Sequence, residues 1–364
     1  MFVESKRLDN IQVLRAVAAL MVCAFHLQYL FMDNGNIKPF ANGEMGVQVF
    51  FIISGLIMYH TTRDKDGNPT KSPWVFGWNR LVRIVPLYLF VTFVYVADDL
   101  SWAFLSEQSD RIWKTILFFP PMTDTIGPKY GYPLLDVGWT LNYEMFFYLL
   151  FFCSLFFGKL GYKVLFLIFL CFGIILPLLF NGNFHPGYVA YYNYPIAALN
   201  LFCNPMVLLF ASGVLLGDIM NRVQFSQNIC LFGFTFSTGL FLMHVLGWHG
   251  LEVNLFTDLA FIWPWVFFTA LCDRSGVFVF ASKKWISVGD CSYSLYLWHP
   301  VVFAYLRLVA EKFSWPYLDA PWISFVVGMV LAIVVASISY KFFETKVNLA
   351  LKSLRISWNK QAPL

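Results

Sequence analysis

Long apolar runs alternate with short polar joints along the whole chain. The runs cover 11–31, 45–60, 81–98, 139–157, 164–180, 201–217, 229–246, 255–272, 286–309 and 321–341. A helix needs roughly 20 apolar residues to cross the hydrocarbon layer of a bilayer. The pattern therefore predicts an all-α polytopic integral membrane protein with about ten transmembrane helices. The second run is short, which fits a tilted or interrupted helix. The stretch from Ile116 to Met122 is too short to span and ends at Pro120-Pro121. It reads as an interfacial or re-entrant piece of the long 99–138 connection.

The basic residues orient this layout. With the N-terminus inside, 18 of the 25 Lys and Arg residues fall in inner segments, 6 in outer segments, and Arg15 within the first span. Such a bias follows the positive-inside rule and places both termini in the cytoplasm. Lys6 and Arg7 precede an apolar run that contains Arg15 and His26 and has no small-residue cleavage site, so it reads as a retained first helix. One transmembrane domain, 1–345, is expected, followed by a short cytoplasmic tail, 346–364.

Composition narrows the class further. Hydrophobic residues make up 59% and charged residues 13%, against roughly 25% charged in soluble domains. No long polar segment remains from which a soluble domain could be built. The net charge of +4 is scattered between apolar runs and forms no basic stripe, so no nucleic-acid partner is expected. The seven cysteines show neither CxxC nor Cys/His spacing, so neither a disulfide framework nor a metal site is expected.

Ionisable residues inside spans are costly and are functional candidates by default. Arg15 and His26 are eleven residues apart, so they share a face of the first helix at a separation of about 16 Å along its axis. Snorkelling to the headgroups would also explain Arg15, and a hydrogen-bonded core position would also explain His26. Arg80 and Arg83 lie at i and i+3 at the inner start of the third span. Paired guanidiniums suit phosphate, although ordinary topogenic charge is the alternative. Glu144 lies among Phe, Tyr and Leu and must be paired, protonated or turned to a polar cavity. His299 precedes Pro300 in SYSLYLWHP, where a structural hydrogen bond competes with catalysis. Counting depth along each span places His26, Glu144 and His299 on one outer level, about 20 Å from the cytoplasm, with the arginines together near the inner face.

At these residues the chain resembles the acyltransferase-3 family of membrane acyltransferases. The matching pieces are LDNIQVLRAVAALMVCAFH, GVQVFFIISGLIM, NRLVRIVPLY, GWTLNYEMFFYLLF, SYSLYLWHP and SYKFFE, in family order over nearly the whole chain. LRAVAAL with FFIISGLIM looks most like the branch that acetylates bacterial exopolysaccharides. Gln48 departs from the pattern, since many relatives have Asp there.

The resemblance implies an O-acyltransferase in the bacterial inner membrane, passing an acetyl group from cytoplasmic acetyl-CoA to a hydroxyl of a carbohydrate. The acceptor would be lipid-linked or exported, and polysaccharide-biosynthesis proteins would be partners alongside membrane lipids. His26 and Arg15 match the essential motif, Arg80 and Arg83 the pair that engages the donor, and Glu144 the third conserved block. In that reading His26 is the general base, with Glu144 or His299 orienting it. An acetyl-His26 intermediate is the competing mechanism. A proton-coupled transporter or flippase would also use intramembrane His and Glu, but gives no reason for paired arginines.

Overall fold

A bilayer core offers backbone groups no water, so a spanning segment must satisfy them internally, and the apolar runs are helical throughout. The computed structural model describes residues 7–31, 38–122, 126–189, 192, 194–280, 282–313 and 321–361. Lys6 and residues 362–364 of the expected tail lie outside them. The chain runs through α1 (Asp9–Phe31), α2 (Gly46–Thr62), α3 (Pro73–Val96), the short α4 (Trp102–Glu107) and α5 (Ser109–Ile116), and α6 (Trp139–Leu155). Next come α7 (Gly161–Leu170) and α8 (Leu176–Asn181), joined by a π-helical turn, then α9 (Ala197–Phe202), α10 (Met206–Arg222), α11 (Gln227–Val245) and α12 (Leu255–Ser275). The last elements are α13 (Lys283–Asp290), α14 (Ser292–Lys312), α15 (Pro321–Ser339) and, after a second π-helical turn, α16 (Thr345–Gln361). Among the described residues the only extended pairing is one isolated bridge between Arg63 and Pro69.

Seven stretches among the described residues are long and apolar enough to cross a membrane: Asp9–Leu30, Gly43–Thr62, Pro73–Asp99, Gly158–Asn181, Gln227–Val245, Leu255–Ser275 and Pro321–Leu354. The runs at 139–157, 201–217 and 286–309 form α6, α10 and α14. α6 and α10 have 17 residues each, and α14 ends on Arg307, Glu311 and Lys312. The expected tail is helical through Gln361, and Trp78 Nε1 donates to Leu351 O across to α3 at 3.3 Å. Phe232, Phe236, Val330 and Val334 are exposed on the outside of the bundle, an apolar surface of the kind lipid covers.

α1 is buried along most of its length, with Ile11, Leu14, Ala18 and Val22 in the main core and Ala19, Cys23 and Leu27 in a second cluster toward α15. Its small residues let neighbours approach closely. α2 and α10 cross closely, where a Cβ on Gly55 would lie 2.2 Å from Phe210 O and one on Gly213 would lie 2.0 Å from Ile52 O. Small residues at such crossings are how membrane helices gain packing without a hydrophobic drive.

Connections sort the helix ends into two groups. At the end where α1 begins, Asp273 of α12 accepts from the Asn10 and Ile11 N–H groups (2.9 and 3.1 Å), capping α1 from another helix. There too the Tyr59 hydroxyl donates to Asp218 at 2.5 Å and Arg63 Nη1 donates to Gly158 O at 2.6 Å. The opposite end is closed by a buried relay. Leu251 N–H donates to His249 Nδ1 (2.8 Å), so His249 Nε2–H donates to His244 Nδ1 (2.6 Å), and His244 Nε2–H to Asp258 Oδ1 (2.8 Å). The Tyr188 hydroxyl donates to Asp258 Oδ2 at 2.5 Å. His244 and Asp258 are fully buried, so His244 Nε2–H and Asp258 Oδ1 have each other in place of water.

Truncating one member of such a pair strands the other, at a cost of about 3–5 kcal/mol. His244→Ala is therefore expected to lower the melting temperature in detergent by several degrees. The double change His244→Leu with Asp258→Leu is expected to restore most of it, and equal loss in both would show that the pair contributes only shape.

Candidate functional site

α1, α2, α3, α6 and α14 surround a cavity of about 760 Å³, counting its open part. Arg15, Arg80, Arg83 and Glu144 all line it. Arg80 and Arg83 share a face of α3 one turn apart. The Arg80 guanidinium lies over the rings of Phe76 and Tyr148, 5.4 Å from each centroid, close enough for cation–π attraction. Arg15 Nη1 donates to Gln12 Oε1 at 2.9 Å. Glu144 accepts from the Tyr148 hydroxyl one turn further along α6.

Charge in this hollow does not cancel. Three guanidiniums meet one lining carboxylate, Glu144, among the described residues. Glu344, outside the cavity wall, accepts from Ser294 Oγ at 2.7 Å and lies within electrostatic reach of Arg83 and Arg15. At the effective dielectric of partly buried sites a pair of unit charges 4 Å apart interacts by about 4 kcal/mol, so the excess favours an anion strongly. Beside the start of α3, burial and the nearby charges of Arg80 and Lys352 push the Lys71 ammonium below its ordinary range. The positive field thus reaches beyond the cavity wall.

His26 and His299 form a separate unit. His26 Nδ1 lies 2.9 Å from Val22 O, and His299 Nδ1 lies 3.3 Å from Leu295 O. A carbonyl only accepts, so both Nδ1 atoms carry hydrogen. The lone pair on His299 Nε2 then faces His26 Nδ1–H at 3.3 Å. These partners leave His26 Nε2 unprotonated, the form a general base needs. His299 is fully buried, whereas His26 is partly exposed. Pro300 lacks the N–H that would bond Tyr296 O within α14, and neighbours can make good such a loss in a membrane helix.

The Tyr296 ring separates the two units. It lines the cavity on one side and lies 5.9 Å from the His299 ring on the other. Its hydroxyl is 2.8 Å from Thr140 Oγ1 and 3.1 Å from Val137 O. Neither His26 nor His299 is part of the cavity wall.

One expectation is corrected. Glu144 does not share a level with the two histidines; it sits with the arginines. Helix starts explain the error. α3 begins at Pro73 rather than 81, so Arg80 and Arg83 lie about 10–15 Å along the helix instead of at its mouth. α14 begins at Ser292 rather than 286, because α13 is a separate helix, so His299 is only about 10 Å along its own. Sequence reasoning missed Tyr148, Tyr296 as the separating ring, and the His244–Asp258 relay. Tyr148 had a signal, the i, i+4 spacing from Glu144. The relay had one too, since His244 and Asp258 are ionisable residues inside the apolar runs 229–246 and 255–272, whereas Tyr188, 70 residues from Asp258, had none.

No solved structure matches the chain. A curated protein, the exopolysaccharide production protein ExoZ of Rhizobium meliloti (strain 1021), is 29% identical over 262 residues, which is 71% of this chain and 76% of the relative. A family model described as an acyltransferase domain matches residues 8–341. That match spans every element of the cavity and of the histidine pair, so the chain belongs to the acyltransferase-3 family and is a membrane acyltransferase.

Proposed function

We propose that this acyltransferase moves an acetyl group from cytoplasmic acetyl-CoA to a hydroxyl of a cell-envelope or exported carbohydrate, across ten spans of a bacterial inner membrane. The observation that carries the reading is one bundle holding an arginine hollow and, about 16 Å further along α1, a histidine with a free Nε2. The phosphates of CoA call for guanidiniums, which bind them bidentately. The hollow fits that demand, with three guanidiniums against one carboxylate in its wall. The pantetheine arm is roughly 15–20 Å long by ordinary bond lengths, enough to bring the thioester to His26 once the Tyr296 ring swings aside. The name of the relative supports a carbohydrate acceptor. In this layout residues 1–345 form the membrane domain, 346–364 the cytoplasmic tail, and both termini are cytoplasmic.

The chemistry follows from the tautomers. A sugar hydroxyl placed at His26 Nε2 gives its proton to the imidazole as its oxygen attacks the thioester carbonyl. The C–O bond forms, the C–S bond breaks, and the imidazolium returns the proton to the departing thiolate. His299 accepts from His26 Nδ1–H and so holds the ring in the productive tautomer. Glu144 is a positioning residue for the guanidiniums through Tyr148 and its own charge, and Arg15 completes the anion site.

Reporter fusions at residues 70 and 360 are expected to read as cytoplasmic and one at residue 129 as external, from the excess of basic residues. A fusion at 360 that reads external would overturn the donor side of the scheme.

Arg80→Ala with Arg83→Ala is expected to weaken CoA affinity by on the order of 100-fold or more, since each charge-assisted bond contributes about 1.5–3 kcal/mol. Calorimetry in detergent measures this, and unchanged affinity would return both residues to a topogenic role.

His26→Gln is expected to lower the transfer rate by about 10²–10⁴-fold while CoA affinity stays within error. His299→Ala is expected to lower kcat by a smaller factor, again with CoA affinity intact, because it acts through His26. Loss of CoA binding in His26→Gln would instead place His26 in the donor site.

A further inference from the structure

Ser292 is fully buried, its Oγ has no hydrogen-bond partner, and it forms part of the cavity wall. Buried hydroxyls are nearly always bonded. One that is not, and that faces a cavity, is a donor held ready for something that enters. Ser292 is also the first residue of α14, whose first helical backbone bond runs from Leu295 N–H to Cys291 O. The N–H groups of the first turn are therefore unused by the helix. The Ser292 hydroxyl thus offers the cavity a donor that no protein atom accepts.

We propose that Ser292 binds the arm of the donor: its hydroxyl donates to an amide carbonyl of pantetheine, midway between the arginines and the histidine pair. This assignment rests on the CoA-type donor proposed above. Distance decides between arm and phosphate. Ser292 is seven residues before His299 on α14, hence about 10 Å along the axis. In an extended arm the amide carbonyl nearer the phosphates lies roughly 10 Å from sulfur by ordinary bond lengths, and the phosphates roughly 16 Å. Arg15, at about 16 Å from His26 along α1, matches the phosphates, and Ser292 matches the amide. The chemistry agrees, since a hydroxyl donor satisfies a neutral carbonyl without adding a charge that the ligand would have to neutralise. The cavity wall also contains Ile53, Ile57 and Ile84, which suit the methylenes and geminal methyls of the arm. The site would accept acyl groups on pantetheine and reject small activated acids such as acyl phosphates, which have no amide to offer.

Three variants and two probes test this by calorimetry and thermal melting of the full chain in detergent. The probes are CoA and 3′-phosphoadenosine 5′-phosphate, which keeps nucleotide phosphates and lacks the arm. Ser292→Ala is expected to weaken CoA about tenfold and leave the armless nucleotide unchanged. Because it deletes an unsatisfied group, it is expected to leave the melting temperature of the free protein unchanged or raised. Ser292→Thr keeps the hydroxyl and is expected to bind CoA as the wild type does, while Ser292→Val, of similar shape without it, is expected to follow Ser292→Ala. Equal weakening of both probes in Ser292→Ala would overturn the arm assignment in favour of a phosphate, from the donor or from a lipid headgroup. Unchanged affinity for both, or a drop in melting temperature alone, would overturn it in favour of a structural hydroxyl. Wild-type protein that binds neither probe would defeat the CoA reading itself, and the arm assignment with it.

Discussion

Holding three guanidiniums inside a bundle of apolar helices is the constraint on which this structure turns. A charged residue near the middle of a bilayer is expensive and is tolerated where it faces protein or a polar cavity. Here the charges of Arg15, Arg80 and Arg83 face inward, and their surroundings are arranged to lower that cost. Phe76 and Tyr148 supply ring faces to Arg80, Gln12 an acceptor to Arg15, and Glu144 and Glu344 partial countercharge. The compensation is incomplete, with more cation than anion in the wall. A hollow with this lining favours an anionic ligand, because ligand charge completes what the protein leaves undone.

α1 then acts as a ruler. It carries Arg15 in the hollow and His26 in the histidine pair, so one helix fixes the separation between arginine hollow and imidazoles. The start of that ruler is set by other segments. Asp273 caps its start from α12, and Gly289 of α13 packs so closely that a Cβ there would lie 1.9 Å from Gln12 O. Functional distance in this protein is a property of helix geometry and leaves little to loops. α14 repeats the device with Ser292 and His299 on one helix.

The parts legible in the sequence are those that depend on one segment. Apolar runs marked the helices, and Arg15 with His26, and Arg80 with Arg83, could be placed on common faces by spacing alone. Helix starts were not legible. Pro73 opens α3 among Trp and Asn residues that do not read as a span, and the break at Cys291 between α13 and α14 is marked only by Gly289, inside an otherwise continuous run. The first of these errors put the arginines too near the mouth of the bundle and so apart from Glu144, which lines the same cavity. Pairings between remote segments, such as His26 with His299 or Tyr188 with Asp258, depend on how helices pack. No local spacing encodes them.

The Tyr296 ring, with its hydroxyl between Thr140 and Val137, closes the hollow from the histidines. Each elementary charge that crosses an energised membrane dissipates about 2.3 kcal/mol per 100 mV. A continuous wet path from arginines to imidazoles would let protons run down that gradient between turnovers. An aromatic ring at that position interrupts such a path between the arginine hollow and the histidine pair.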